Sequence, residues 1–205
     1  GYADILVGAY YDADPHGDQD TLAAFAGETY VVFGSGSGFA ASLDLSTLDG
    51  SNGFRLDGID VDDSSGRSVK TAGDFNGDGY ADILVGVYDA DPGGDNSAGA
   101  TYVVFGSGSE FSARLDLSTL DGSNGFRLDG IDADDLSGRS VSTAGDVNGD
   151  GYADILVGAH DADPRGCCEA GETYVIFGSG SRFAASLDLS TLDGSNGFRL
   201  DGIDA

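Results

Sequence analysis

The 205-residue chain holds no methionine and no tryptophan, only two cysteines, two histidines and three prolines, and nine basic residues against 36 acidic ones. Each shortage excludes something. No stretch reaches the roughly 20 apolar residues of a membrane-spanning helix, and no basic segment followed by an apolar one marks a secretory signal. Cys167 and Cys168 are adjacent, and no second pair completes a zinc site, so they read as an incidental exposed pair in one loop. A net charge of −27 argues against nucleic acid and anionic membranes as partners. The acids are themselves skewed: Glu28, Glu110, Glu169 and Glu172 are the four glutamates, and the other 32 are aspartates. That excess of short-armed carboxylates points to ion ligands, turns and side-chain-to-backbone bonds. A high-salt habitat would account for the charge equally well. Methionine is missing even at position 1, so the chain is expected to be a window from a longer protein, and the missing signal says nothing of its address.

What is present is a nine-residue acidic stretch written twice in full. It reads Asp74-Phe75-Asn76-Gly77-Asp78-Gly79-Tyr80-Ala81-Asp82 and again Asp146-Val147-Asn148-Gly149-Asp150-Gly151-Tyr152-Ala153-Asp154, each followed by Ile-Leu-Val-Gly. Oxygen-bearing side chains fall at positions 1, 3, 5 and 9, with a glycine at 6 and a main-chain carbonyl on offer at 7. This spacing suits calcium, a hard cation that takes six to eight oxygens at about 2.3–2.6 Å. An EF-hand is excluded, because position 12 is Val85 or Val157 instead of a bidentate Glu. The apolar run that follows reads as a buried strand, not a helix. A plain Asn-Gly-Asp-Gly turn needs two such residues, not four oxygens at fixed offsets twice over. The metal ligands expected are therefore Asp74, Asn76, Asp78, Tyr80 (through its carbonyl) and Asp82, and Asp146, Asn148, Asp150, Tyr152 (carbonyl) and Asp154. A third copy survives only from Gly1, with Asp4 at its ninth position.

The repetition extends to the whole chain. Tyr30, Tyr102 and Tyr174 lie 72 residues apart, as do Tyr80 and Tyr152, while a loop lengthened by six residues after Tyr10 puts Tyr2 78 before Tyr80. Each period contains four strand-like segments, in the middle copy Gly53–Gly58, Gly66–Gly73, Ala81–Gly86 and Thr101–Gly106, bounded by glycine or aspartate. Helical periodicity is confined to Phe39–Leu45, too short for more than one turn. The expected fold is all-β: propeller blades of four antiparallel strands, about 72 residues each. A calcium β-helix lacks its Gly-rich nonapeptide here, and WD or kelch blades would bring tryptophan. Cut at the repeat, the chain divides into a partial blade at 1–52, complete blades at 53–124 and 125–196, and a first strand at 197–205. Closure takes about four to eight blades, so about three make an incomplete ring. The chain is expected to associate with further blades of the same longer protein, or with other copies of itself.

Phe33-Gly34, Ser68-Val69, the Asp74–Gly79 loop and Leu84-Val85-Gly86-Val87 resemble the FG-GAP repeat of integrin α-subunit propellers. The chain looks closer still to bacterial integrin-like repeat proteins, whose longer blades carry the insert seen here at Leu43–Phe54, Leu115–Phe126 and Leu187–Phe198. The resemblance implies a calcium loop joining two strands of one blade on the propeller rim. It departs from the family at Gly8-Ala9-Tyr10, Gly86-Val87-Tyr88 and Gly158-Ala159-His160, where Gly-Ala-Pro is usual, and at Ser65-Gly66-Arg67 and Ser137-Gly138-Arg139, which replace a Phe-Gly.

The remaining constellations read as architecture. Asp12-Ala13-Asp14-Pro15, Asp89-Ala90-Asp91-Pro92 and Asp161-Ala162-Asp163-Pro164 recur, as do Asp60-x-Asp62-Asp63 and Asp132-x-Asp134-Asp135, and these are expected to be solvated turns. Arg55, Arg127 and Arg199 are expected to pair with a nearby Asp, and Tyr30, Tyr102 and Tyr174 to pack. His16 and His160 stand beside no serine or cysteine in a recognisable motif, and acids that recur in every blade are unlike a singular active site. No enzyme activity is expected. The function implied is a calcium-binding adhesion or ligand-binding scaffold of a secreted or cell-surface protein. It would present a protein or glycan ligand site on the variable loops Tyr10–Thr29, Tyr88–Ala100 and His160–Glu172. The alternative is a non-catalytic accessory domain of a secreted polysaccharide-active hydrolase or lyase.

Overall fold

A computed structural model of the chain describes residues 2–11, 26–164 and 170–203. Thirteen strands are defined among them. They are β1 (Ile5–Ala9), β2 (Glu28–Val32), β3 (Gly53–Asp57), β4 (Ser68–Gly73), β5 (Asp82–Val87), β6 (Ala100–Val104), β7 (Arg114–Asp116), β8 (Gly125–Asp129), β9 (Ser137–Gly145), β10 (Asp154–Ala159), β11 (Glu172–Ile176), β12 (Ser186–Asp188) and β13 (Gly197–Asp201). They form three sheets in the orders β1-β2-β3-β7, β4-β5-β6-β8-β12 and β9-β10-β11-β13. The pairs β2–β3, β6–β8 and β11–β13 are antiparallel and in unbroken register, so that Tyr30, Tyr102 and Tyr174 face Arg55, Arg127 and Arg199. The all-β architecture of partial propeller blades agrees with the sequence expectation. No helix among the described residues is long and apolar enough to cross a membrane.

The blade boundaries expected at the sequence repeat are corrected by the hydrogen bonding. Gly53–Asp57 pairs with β2 and Gly125–Asp129 with β6, so each closes the sheet before it instead of opening the next. The complete sheets therefore run from β4 to β8 and from β9 to β13, out of phase by one strand with units drawn at 53–124 and 125–196. A tandem repeat of four strands can be cut at any of four points with equal periodicity. Only the pairing partner decides, and the register that brings Arg55 onto Glu28 and Asp57 chooses the earlier sheet.

Neighbouring sheets pack face to face through two cores. Val31, Phe54 and Leu56 of the first sheet meet Ile83, Val85 and Val104 of the second. Leu84, Val103, Phe126 and Leu128 on the second sheet's other face meet Ile155, Val157 and Ile176 of the third. This explains the unbroken apolar run of β5: a strand covered on both faces has no solvent side to alternate with, and every one of its residues is buried.

Two three-residue strands were not legible beforehand. Between β6 and β8 the chain leaves its own sheet, lays β7 parallel to the outer edge of β3, and returns. Between β11 and β13 it does the same with β12 on β8. Each strap is anchored by a main-chain bond, Arg55 N–H to Ala113 O and Arg127 N–H to Ala185 O, both at 3.0 Å. Each is sealed by a stacked ring pair, Phe111 on Phe54 at 4.3 Å and Phe183 on Phe126 at 4.7 Å between centroids. The single helical turn expected near Phe39–Leu45 falls at Leu45–Thr47, where the Asp44 side chain accepts from Ser46 N–H as its cap.

Candidate metal loops and the opposite rim

The two complete acidic loops connect β4 to β5 and β9 to β10. Gly79 and Gly151 at their sixth positions have φ of 88° and 94°, a conformation that a side chain would strain. In the first loop Asp74 Oδ2 accepts Gly79 N–H at 3.0 Å, Asn76 Oδ1 accepts Asp78 N–H at 2.9 Å, and Asp78 Oδ1 accepts Tyr80 N–H at 2.9 Å. Each side chain thus bends the loop with one oxygen. Asn76 Nδ2 also donates to Asp78 Oδ2 at 3.1 Å. Asp74 Oδ1 is buried and has no hydrogen-bond partner, the one carboxylate oxygen so placed among the described residues. In the second loop Asp146 accepts from Gly149, Asp150 and Gly151, using both oxygens, while Asn148 and Asp150 repeat the first loop's bonds.

The ninth-position acids have a role that the ligand spacing did not suggest. Asp82 and Asp154 are fully buried. Asp82 Oδ2 accepts Phe75 N–H at 2.8 Å and Asn76 N–H at 3.3 Å, and its Oδ1 accepts Gly106 N–H at 2.8 Å. Asp154 takes Val147 N–H at 2.8 Å and Gly178 N–H at 2.9 Å, and Asp4 takes Gly34 N–H at 2.8 Å. Burial pushes the Asp82 carboxyl up to about 6, against the hydrogen bonds of these three main-chain donors. Each such Asp therefore ties its loop to the Phe-Gly that ends the third strand of the sheet. The joint recurrence of Asp82 with Gly106 and Asp154 with Gly178 was the available signal. The loops also brace each other across sheets, through Ala153 N–H to Asp74 O at 3.1 Å and Ser179 N–H to Phe75 O at 2.9 Å. Tyr80 is half exposed, with its hydroxyl against Gly108. Among the described residues no three acidic, histidine or cysteine side chains converge as a metal cluster.

The variable loops lie at the other end of the strands. The acidic loops enter β5 and β10 at their N-termini, whereas the variable loops leave at the C-termini of the same strands. The family departures meet there: the Arg67 guanidinium sits 5.2 Å from the ring centroids of both Tyr10 and Tyr88, and Arg139 lies 5.6 Å from Tyr88. The Asp60–Asp63 and Asp132–Asp135 turns share this rim, but they are not simply solvated as expected. Asp63 and Asp135 are buried. Burial and the charges of Asp60, Asp91 and Asp89 push Asp63 up to about 7; burial, Asp132, Glu172 and Asp163 push Asp135 up to about 6. The middle variable loop is pinned to the second of these turns by Asp134 N–H to Asn96 O at 2.8 Å and Leu136 N–H to Ser97 O at 3.1 Å.

The expected arginine pairs form, Arg55 with Asp57, Arg127 with Asp129 and Arg199 with Asp201, and Tyr102 and Tyr174 are buried. Two of the tyrosines also donate to an acid, Tyr30 to Glu28 and Tyr174 to Glu172. Asp12, Asp14, Pro15, His16, Cys167 and Cys168 lie outside the described residues.

Antiparallel sheets packed face to face, with an acidic loop leading into β5 and into β10 and a strap from the following unit laid on β3 and on β8, define a propeller-type repeat scaffold. The family described as FG-GAP repeat matches residues 65–104 and 137–176, each spanning one acidic loop and the strands on either side. The chain thus carries two FG-GAP repeats, and integrin alpha subunits are among the proteins it is similar to. It is 32% identical to integrin alpha-PS2 of Drosophila melanogaster over 133 residues, 62% of this chain and 9% of that protein. To integrin alpha-4 of Xenopus laevis it is 29% identical over 168 residues, 80% of this chain and 13% of that one. A phosphatidylinositol-glycan-specific phospholipase D of Bos taurus is 32% identical over 109 residues, 53% of this chain and 13% of the enzyme. The chain thus spans about a tenth of the length of these relatives.

Proposed function

We propose that this chain is a calcium-stiffened, non-catalytic propeller segment of a secreted or cell-surface protein, which engages a protein or glycan ligand through its variable-loop rim. The observation that carries the reading is the buried, unpartnered Asp74 Oδ1 in a loop whose other donors are all oxygens. An anionic oxygen in that position is costly unless a cation or donor meets it. Asp74, Asn76, Asp78, the Tyr80 carbonyl and Asp82 would hold one ion, and Asp146, Asn148, Asp150, the Tyr152 carbonyl and Asp154 a second. Bound calcium supplies positive charge that offsets three carboxylates in each loop. The loops themselves bend through their glycines, brace the third strand through Asp82 and Asp154, and link adjacent sheets through Asp74 O and Phe75 O. Stiffening at that rim leaves the opposite rim free to present variable loops on a rigid base. Integrin relatives favour an extracellular or surface address.

The test is calorimetric titration of the chain with calcium, paired with thermal melts in calcium and in chelator. Two ions are expected, one per complete loop. At a hundredfold excess over Kd each contributes about 2.7 kcal/mol, which moves the Tm of a chain this size by about 5–10 °C. Asp74→Asn is expected to reduce the stoichiometry to one. Absence of both heat and shift overturns the calcium reading and leaves the loops as acidic turns suited to high salt.

The phospholipase D relative favours a second reading, in which such repeats accompany a secreted hydrolase or lyase as an accessory domain without catalytic residues of their own. The sequence flanking this segment in the full protein decides between the two: further repeats favour the adhesive scaffold, a catalytic domain the accessory role.

A further inference from the structure

The three sheets each carry the same polar network on a pair of neighbouring strands, and in one of them a member is replaced. In the first sheet Glu28 faces Asp57 across β2 and β3, and in the third Glu172 faces Asp201 across β11 and β13. Arg55 Nη1 meets Glu28 Oε1 at 2.6 Å, and Arg199 Nη1 meets Glu172 Oε1 at 3.0 Å. Tyr30 and Tyr174 donate to the same two glutamates. In the second sheet the residue facing Asp129 is Ala100, while Tyr102 and Arg127 keep their places. Ala100 is the last residue of the middle variable loop, Tyr88–Ala100.

The second sheet thus keeps the donors without the acid. Arg127 Nε and Nη2 both bind Asp129, the latter at 3.1 Å, and Nη1 has no carboxylate among the described residues. The Tyr102 hydroxyl is bonded to the same guanidinium. A guanidinium only donates, so the Tyr102 oxygen accepts, and its own hydrogen meets no acceptor among the described residues. Tyr102 is 4% exposed, and a buried donor left unmatched is costly. Asp63, whose charge also reaches Tyr102, bonds to the Asp60 main chain instead. Two donors therefore stand where the other two sheets place an acid between them. The Arg127 side chain is 37% exposed and can be reached from solvent. What alanine lacks relative to glutamate is one methylene and a carboxylate, the atoms of acetate.

We propose that Arg127 and Tyr102 bind the carboxylate of an aspartate or glutamate side chain from a protein partner, an inference that rests on the variable-loop rim being the ligand-binding face. The incoming acid takes Arg127 Nη1–H and Tyr102 O–H, the two donors that hold Glu28 and Glu172 in the sheets on either side. Both bonds are charge-assisted, and the guanidinium fork, already set by Asp129, fixes where the carboxylate sits. Depth selects a protein side chain over an acidic sugar. Glu28 and Glu172 are 2% and 8% exposed, so a carboxylate in this position lies at the end of a narrow approach. An acidic side chain carries its carboxylate on one or two thin methylenes, whereas a uronate carries it directly on a ring. Acids that recur in every sheet are architecture; the single alanine turns one copy of that architecture into a receptor.

The experiment follows the arginine Nε–H resonances of the chain by NMR while sodium acetate replaces sodium chloride at a total of about 1 M. There a Debye length of about 3 Å removes the long-range repulsion of an acidic chain. Arg127 is expected to shift and saturate at about millimolar acetate, while Arg55 and Arg199, which already hold an acid, stay still. Glutamate blocked at both ends as amides is expected to act like acetate, and glucuronate at least tenfold more weakly. Ala100→Glu is expected to abolish the response at Arg127. Glu172→Ala is expected to create a second responding site at Arg199, and Tyr102→Phe to weaken the first about 3–10-fold. An Arg55 resonance at its parent position checks that each variant folds. The titration is run in calcium and in chelator, with the same outcome expected, so a failure of the calcium reading leaves this one legible. No shift at Arg127, an equal shift at all three arginines, or a response that survives Ala100→Glu overturns the site. Glucuronate binding as tightly as acetate overturns the choice of a protein side chain.

Discussion

Phe39 and Phe183 begin identical sixteen-residue segments, so replacing each by alanine separates what a residue contributes locally from what its neighbours contribute. Phe183 stacks on Phe126 with ring planes 2° apart and lies 5.3 Å and 5.6 Å from the centroids of Phe75 and Phe105. Full burial of a phenylalanine is lost on truncation at about 3–5 kcal/mol. Phe183 is only partly buried, but it also forfeits an aromatic pair worth about 0.5–1.5 kcal/mol. Phe183→Ala is therefore expected to cost about 2–3 kcal/mol, a fall in Tm of about 4–10 °C for a chain of this length. Phe39 is 55% exposed and stacks on nothing described, and Phe39→Ala is expected to change stability by less than about 0.5 kcal/mol. Since a row of sheets can open locally, amide exchange at Arg127 gives the sharper readout: its N–H donates to Ala185 O in the strap, and Phe183→Ala should raise its exchange rate at least tenfold. Equal Tm shifts for the two variants, or unchanged protection at Arg127, would refute the assignment of the strap as a tertiary clasp.

Two further outcomes are expected. Asp82→Ala strips Phe75, Asn76 and Gly106 N–H of their acceptor and should cost about 2–4 kcal/mol in urea unfolding even in chelator. Asp4→Ala, which removes one exposed acceptor from Gly34, should cost less than about 1 kcal/mol; equal costs would refute the bracing role. Asp63 keeps its proton in the fold up to about 7 but loses it from an ordinary value of 3.8 when unfolded. Its contribution is therefore complete below 3.8 and is lost as pH rises through 7. Asp63→Asn should match the parent at the acid end and exceed it by about 1–2 kcal/mol at pH 8, after allowance for solvent screening. A variant less stable than the parent at pH 8 would show that the charge is compensated.

Much of this molecule was legible in the chain alone because repetition makes weak local signals add. The strands Gly53–Gly58 and Ala81–Gly86 were each marked by glycine and aspartate at both ends, and observation moved their bounds by no more than a residue. The acidic loops announced themselves by alternate oxygens, since a chain curling tightly turns every second side chain inward. The pairing of Arg55 with Asp57 followed from their shared face two residues apart on a strand. Tertiary structure alone decided three matters. It assigned Gly53–Asp57 to the preceding sheet, because periodicity carries no phase and hydrogen bonds do. It gave Asp82 and Asp154 to main-chain donors 24 residues away as well as to the loop, a partnership no local spacing encodes. And it made two identical segments different: Ser186-Leu187-Asp188 is a strand because β8 lies beside it, while Ser42-Leu43-Asp44, the same residues, is not, because three residues form a strand only where an edge exists to pair with.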